Sequence, residues 1–244
     1  MQKEDFNWFT SWFDSPYYHV LYKDRDYEEA GTFIKKLTSF LDLKNNATVL
    51  DLACGKGRHS KHLATLGYNV TGVDLSPNSI KAAKAFETKN LKFEIHDMCI
   101  AYSGKFDAIF NLFTSFGYFE AEIDNLRTIK AIRDSLKPNG FGIIDFLNVE
   151  FLKQHLVPSE QKTVDGIIFQ IKRKIENNFI IKEISFEADG KNYFYTEKVK
   201  ALTLNNFKKY FEEAGVTLKK TFGNYQLDTF DPASSERLIL IFGL

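Results

Sequence analysis

The chain predicts an α/β protein built on a doubly wound, mostly parallel sheet, on three observations. Between Thr48 and Phe146, short apolar runs alternate with helix-length amphipathic segments, the order of strands covered on both faces. Two of those runs carry an acid at or one residue before their ends: Val49-Leu50-Asp51-Leu52 and Val70-Thr71-Gly72-Val73-Asp74. Between them lies Ala53-Cys54-Gly55-Lys56-Gly57, whose small residues let the backbone turn sharply and let a ligand lie against it.

The elements follow in order. Residues 6–44 read as helical, with Trp8, Phe9, Trp12 and Phe13 on one broad aromatic face and Pro16 as an interruption. Ala30, Phe33, Ile34, Leu37, Phe40 and Leu41 recur at helical spacing in a longer helix behind it. Val49–Leu52 is the first strand and Arg58–Leu66 a helix closed by Gly67; Asn69–Val73 is the second strand. Ser76 caps the next helix with Pro77 at its first position, and that helix runs to about Thr88. Leu91–His96 and Phe106–Leu112 are the third and fourth strands. Glu120–Leu136 is a helix closed by Lys137-Pro138-Asn139-Gly140, and Phe141–Phe146 is the fifth strand.

The rhythm breaks over 147–200. Three alternating runs separated by Asn177-Asn178 and Asp189-Gly190 predict a three-stranded antiparallel meander inserted after the fifth strand. A helix capped by Thr203 and ended by Gly215 follows, and Val216–Phe222 and Leu238–Phe242 supply the last two strands. The expected organisation is a helical cap (1–44), a core (45–146 and 201–244) and an antiparallel β lid (147–200).

The stretch 49–74 reads as a nucleoside-cofactor site. The helix after the turn presents unpaired N–H groups at its start. Asp74 stands about 20 residues beyond the turn, where a doubly wound sheet places the acid that holds a ribose diol. A dinucleotide site wants Gly-x-Gly-x-x-Gly, but counting from Gly55 the third position is Ser60. A carboxylate at Asp51 would also repel a pyrophosphate, whereas it suits a ligand bearing ammonium and sulfonium groups.

Asp51-x-Ala53-x-Gly55-x-Gly57 resembles the first motif of the class I S-adenosylmethionine-dependent methyltransferases, acid-x-Gly-x-Gly-x-Gly, with Ala53 in place of the first glycine. The resemblance implies a Rossmann-like seven-stranded sheet of order 3-2-1-4-5-7-6 with the last strand antiparallel, and S-adenosyl-L-methionine as cofactor. It implies cofactor contacts at Asp51, Ala53, Gly55, Gly57, Asp74 and the adjoining Leu75. Asp97 is placed to accept from an adenine amino group and the Met98 N–H to face a ring nitrogen; a turn-forming aspartate is the alternative. Phe106-Asp107-Ala108-Ile109-Phe110-Asn111-Leu112 resembles the fourth motif, which passes beneath the transferred methyl and brings in Asn111. The N-terminal segment then folds over the cofactor as a cap. Tyr17, Tyr18 or Tyr22 offers a ring face to the sulfonium, and Arg25 a forked pair to the cofactor carboxylate; simple core packing and a solvated arginine are the alternatives.

Composition narrows the rest. Lys plus Arg equals Asp plus Glu at 32 each, so no basic excess marks a nucleic-acid binder. Asn111-Leu112-Phe113-Thr114 lacks the Asn/Asp-Pro-Pro-aromatic tetrad of the family's base-amino methylating members, and neither cysteine adjoins a proline, so no Pro-Cys nucleophile is present. Two cysteines and no apolar run of roughly 20 residues point to a reduced, cytoplasmic protein off the membrane. The expected acceptor is a small molecule, partly apolar, with the aromatic loop 113–119 lining its pocket; an RNA or protein acceptor, a cofactor-binding module without turnover, and loop aromatics that belong to the core are the alternatives. In-line transfer needs alignment more than acid–base chemistry, so no catalytic residue is legible; His19, Tyr22, Tyr118 and His155 are candidate bases. The histidines lack metal-ligand spacing, so no metal is expected.

Overall fold

The computed structural model describes residues 8–23 and 27–244. Strand β1 (Thr48–Leu52) lies at the centre of a seven-stranded sheet because both its faces are apolar except at Asp51. Val49 packs with Phe33 and Leu63 on one side, while Leu50 and Leu52 pack with Ile129 and Phe207 on the other. Each such side chain contributes about 1.5–3 kcal/mol by leaving water, and a strand buried on both faces belongs in a parallel sheet.

Beside β1 lie β2 (Asn69–Asp74) and β4 (Phe106–Asn111), both parallel to it, with β3 (Leu91–Ile95) outside β2 and β5 (Leu136–Leu147) outside β4. The last two strands, β10 (Thr217–Phe222) and β11 (Arg237–Gly243), return in hairpin sense, β11 antiparallel to both β5 and β10. Counted within this sheet the order is 3-2-1-4-5-7-6, as the resemblance implies. Chain direction of the order reverses between β1 and β4, where open sheets leave a ligand crevice at the carboxyl ends of their strands.

Helices α3 (Tyr27–Phe40), α4 (Arg58–Thr65) and α5 (Pro77–Ala83) contribute to one apolar cluster, and α6 (Glu122–Ser135) and α8 (Leu204–Ala214) to the other. Ser76 caps α5 by accepting from Ser79 N, and Thr203 forms a reciprocal capping box with Asn206. Gly215 ends α8 with φ of 71°. Helix α5 is shorter than its sequence suggests: it stops at Ala83 and tightens into a 3₁₀ turn over Lys84–Phe86. Strand β5 instead begins early, at Leu136. Leu136 pairs with Phe106 and Phe141 with Ala108, so Lys137–Gly140 bulge out of a ladder that resumes past them.

The segment after β5 departs from the expected three-stranded meander. It opens with α7 (Val149–His155) and then forms four antiparallel strands: β6 (Ser159–Val164), β7 (Ile167–Glu176), β8 (Phe179–Ala188) and β9 (Lys191–Lys200). Their two-residue turns, Asp165-Gly166, Asn177-Asn178 and Asp189-Gly190, all have positive φ at both positions, matching the twist of the strands they join. Phe169, Ile171, Ile184 and Phe186 of this sheet form a third apolar cluster with Trp12 and Leu21. Those two come from α1 (Trp8–Phe13) and α2 (Pro16–Leu21), so the N-terminal helices and the smaller sheet are held together by burial.

Candidate functional site

The turn after β1 is left-handed at Ala53, Gly55 and Gly57, with φ of 63°, 55° and 79°. A Cβ on Gly57 would lie 2.4 Å from the Phe93 ring, so that position has no room for a side chain. The missing third glycine is replaced from the strand side. Ser60 is wholly buried against β2, and a Cβ on Gly72 would lie 2.7 Å from Ser60 Oγ and 2.6 Å from Phe93. Gly72 thus gives the close helix–strand approach, and Ser60 Oγ is released to donate to Asp51 Oδ2 at 2.5 Å.

Asp74 ties the turn to the start of α5. Its Oδ2 accepts from Gly55 N and its Oδ1 from Ser76 N, both at 2.8 Å. Burial pushes its carboxyl up, and the N–H groups of Ser76 and Gly55 oppose that shift. Asp51 is pushed up to about 6, chiefly by burial, with the Ser60 hydroxyl pulling the other way and Asp74 adding to the rise. Burial likewise raises the Cys54 thiol, which stays protonated and inert.

These groups open onto one crevice of about 850 Å³, at the upper end of the roughly 300–1,000 Å³ of small-molecule sites. Of the residues expected to bind cofactor, Tyr18, Asp51, Ala53, Gly55, Asp74, Leu75, Asp97 and Met98 all line it. Asp97 also makes the turn that was the alternative reading, its Oδ1 accepting from Cys99 N at 2.9 Å. Two of the expected residues do not line it. Gly57 lies beneath the turn against Phe93 rather than on the crevice wall. Asn111 is fully buried, its Nδ2 donating to Leu52 O at 3.1 Å and Ser115 O at 3.3 Å, so it braces strand ends from below the crevice floor. Arg25 lies outside the described residues.

The N-terminal helices roof the crevice. Asp14, between α1 and α2, accepts from Ser76 Oγ at 2.6 Å and from Asn78 at the head of α5. Trp8 and Phe13 each set a ring 5.4 Å from Tyr118, in the loop after β4. Tyr17, one of three tyrosines offered for the sulfonium, turns away instead: its hydroxyl donates to Asp189 Oδ2 at 3.0 Å in the smaller sheet. Tyr18 and Tyr22 line the crevice. His19 also lines it; burial, with Lys56 next in effect, lowers its pKa to about 4, so its ring is neutral at pH 7. His155 stacks on Phe151, 4.0 Å between centroids, and lies off the crevice.

The loop 113–119 lines the crevice through Phe113, Thr114, Ser115, Tyr118 and Phe119, while Phe116 is core. Phe113 and Thr114 are both left-handed, an arrangement held by the buried Asp145. Asp145 Oδ2 accepts from Phe113 N at 2.8 Å, and its Oδ1 pairs with Arg237, which also donates to Thr114 Oγ1 at 2.9 Å. His59 stacks on the Phe113 ring at 4.5 Å. Sequence reasoning missed Arg58, His59, Tyr225 and Arg237, and also Arg173, Lys182 and Glu197 from the smaller sheet. The last three interrupt apolar alternation: Arg173 shares a face with Phe169, Ile171 and Ile175, Lys182 with Ile180 and Ile184, and Glu197 with Tyr195 and Val199, and a polar residue on such a face was the signal available. Among the described residues no group of His, Cys, Asp and Glu could hold a metal, and no helix is long and apolar enough to cross a membrane.

A family model described as a methyltransferase domain matches residues 49–140, from the first strand to the bulge in β5. The putative methyltransferase YqeM of Bacillus subtilis is 27% identical over 208 residues, covering 80% of this chain and 83% of that protein. An S-adenosylmethionine-dependent methyltransferase from Clostridium acetobutylicum superposes with a TM-score of 0.79 at 23% identity, over 93% of this chain and 96% of that one. The sugar N-methyltransferase KedS8 of Streptoalloteichus superposes with a TM-score of 0.73 at 19% identity, over 92% of each chain. Sheet order, acid-tipped strands and small-residue turn define a Rossmann-like nucleoside-cofactor protein. Residues 49–140 thus match a methyltransferase domain, and the chain shares the fold of solved S-adenosylmethionine-dependent methyltransferases.

Proposed function

We propose that the chain moves the sulfonium methyl of S-adenosylmethionine to a small-molecule acceptor by in-line displacement. One observation carries this reading. A single crevice is lined both by Ala53, Gly55, Asp74 and Asp97 at the strand ends and by Tyr22, Lys182 and Glu197 from the N-terminal segment and the smaller sheet, and its volume suits two small ligands side by side. Asp74 receives the ribose hydroxyls, Asp97 and Met98 the adenine, and the Ala53–Gly57 turn the amino-acid end, whose ammonium faces Asp51. Tyr18 presents its ring to the sulfonium. With both reactants aligned, positioning alone lowers the barrier by roughly 7–11 kcal/mol.

Residues 1–44 act as the cap and 147–200 as the lid that together enclose the acceptor. The aromatic roof from α1 and the loop after β4 favours a compact, partly apolar acceptor over a polymer. The fold itself accommodates such a molecule, since KedS8, a sugar N-methyltransferase, shares it. Two free thiols, Cys54 and Cys99, support the cytoplasm as compartment.

The test has two arms. Calorimetry with S-adenosylhomocysteine and with NAD should give binding of the first alone. Incubation with methyl-labelled S-adenosylmethionine and a small-molecule cell extract should label a low-mass product. Binding of NAD alone refutes the cofactor placement; homocysteine-adduct binding with no labelled small molecule refutes the acceptor class.

A further inference from the structure

Tyr22, one of the candidate bases, meets two polar side chains of the smaller sheet that have no role assigned above, on the crevice wall. Tyr22 closes α2 from the N-terminal segment, and Lys182 and Glu197 stand directly opposite each other on β8 and β9. Glu197 Oε1 accepts from the Tyr22 hydroxyl at 2.6 Å and from Trp12 Nε1 at 2.7 Å. Lys182 donates to the same tyrosine oxygen, lies 4.5 Å from the centre of its ring, and comes within 3.7 Å of Glu197 Oε2. The Lys182 and Glu197 side chains keep only 15% and 17% of their exposure. A phenol that donates to a carboxylate and accepts from an ammonium can pass one proton on while taking another.

Location separates this group from similar ones. Tyr17 and Tyr210 donate to Asp189 and Glu122, and both phenols are held well above their ordinary range, Tyr17 by its hydrogen bond with Tyr193, burial and Asp189, Tyr210 by burial and Glu122. Tyr102 meets Glu94 at 2.8 Å and Lys92 at 3.4 Å, repeating the residue types, but it does not line the crevice. The combination of phenol, ammonium and carboxylate at Tyr22 faces the space assigned to the acceptor.

We propose that Tyr22 takes the proton the acceptor gives up, with Glu197 as the store for it and Lys182 holding the phenol oxygen in place; this rests on the methyl-transfer reading above. The acceptor is then a hydroxyl or amine bearing a removable proton. Its heteroatom forms a bond to the methyl carbon as the carbon–sulfur bond breaks, and that electron pair stays on sulfur, which becomes a neutral thioether. The acceptor's proton moves to Tyr22 Oη, and the proton Tyr22 held moves to Glu197 Oε1. One positive charge on sulfur and one negative charge on Glu197 disappear together, so the transfer creates no new charge in the crevice. Glu197 later returns its proton to water.

Glu197→Gln separates this role from simple latching, because the amide oxygen still accepts from Tyr22 and Trp12 while the basic carboxylate is gone. Methyl transfer would be followed with labelled S-adenosylmethionine and the small-molecule extract, and cofactor affinity with S-adenosylhomocysteine. Glu197→Gln and Tyr22→Phe should each slow transfer roughly 100-fold or more with cofactor affinity changed less than about twofold, and Tyr102→Phe should transfer as wild type. Wild-type transfer by Glu197→Gln overturns the proposal, and that variant decides alone if Tyr22→Phe does not fold. A wild-type protein that binds the homocysteine adduct but transfers nothing removes the methyl-transfer reading, and this inference with it.

Discussion

Replacing Asp74 with alanine perturbs the cofactor end of the crevice at its most connected point. The carboxylate already accepts from Gly55 N and Ser76 N at 2.8 Å each, and in the proposed complex it also receives the ribose hydroxyls. A hydrogen bond to a charged group contributes about 1.5–3 kcal/mol, so losing the ribose contact should weaken cofactor binding roughly 10- to 150-fold. The variant also strands two backbone N–H groups in a partly buried turn. At about 1 kcal/mol each this costs about 2 kcal/mol of stability, or roughly 4–8 °C of melting temperature for a chain of this size. Isothermal titration with S-adenosylhomocysteine, alongside a thermal melt, reads both effects. A variant with wild-type affinity would mean that the ribose lies elsewhere. One with lowered affinity but an unchanged melt would mean that the turn does not depend on this carboxylate.

Other perturbations give further checks. Asp51 has its folded pKa raised to about 6, so it is protonated more readily in the folded chain than in the unfolded one. The fold is therefore free of this penalty below about pH 4 and bears it fully above pH 6, at most about 3 kcal/mol. Chemical denaturation from pH 4 to 7 should show the wild type losing stability relative to Asp51→Asn as pH rises; parallel curves would refute the shift. By the same charge, affinity for S-adenosylhomocysteine should fall as pH drops through 6 in the wild type and stay flat in Asp51→Asn. Gly72→Ala adds a methyl 2.6 Å from Phe93 and should cost about 1–3 kcal/mol by overpacking, read as a lower melting temperature; an unchanged melt would refute the packing role given to this glycine.

Much of the core was legible because its signals are local. Strand ends, the small-residue turn, Ser76-Pro77 and the Thr203-to-Gly215 helix each follow from residues within one turn or hairpin of one another. The fourth strand of the smaller sheet was not, since Ser159–Val164 buries only Val164 and so shows no alternation, although Asp165-Gly166 carries the same turn chemistry as the two hairpins that were read. Ser60 broke a glycine pattern whose space is made by Gly72, a residue on another element. The polar group of Tyr22, Lys182 and Glu197 was hidden for a different reason. Trp12 and Tyr22 meet Glu197 across more than 170 residues of sequence, and no local pattern encodes such a pairing. Asp145 and Arg237, which hold Phe113 and Thr114 in left-handed backbone, are likewise joined only by the fold.

The central claim is that the β1–β4 crevice holds adenosine joined to an amino acid. A crystal structure with S-adenosylhomocysteine tests it most directly. The ribose hydroxyls should lie within hydrogen-bond reach of Asp74 and the adenine beside Asp97, with the sulfur pointing toward Tyr22 and Glu197. The same compound seated away from Asp51 and Asp74 would contradict the account.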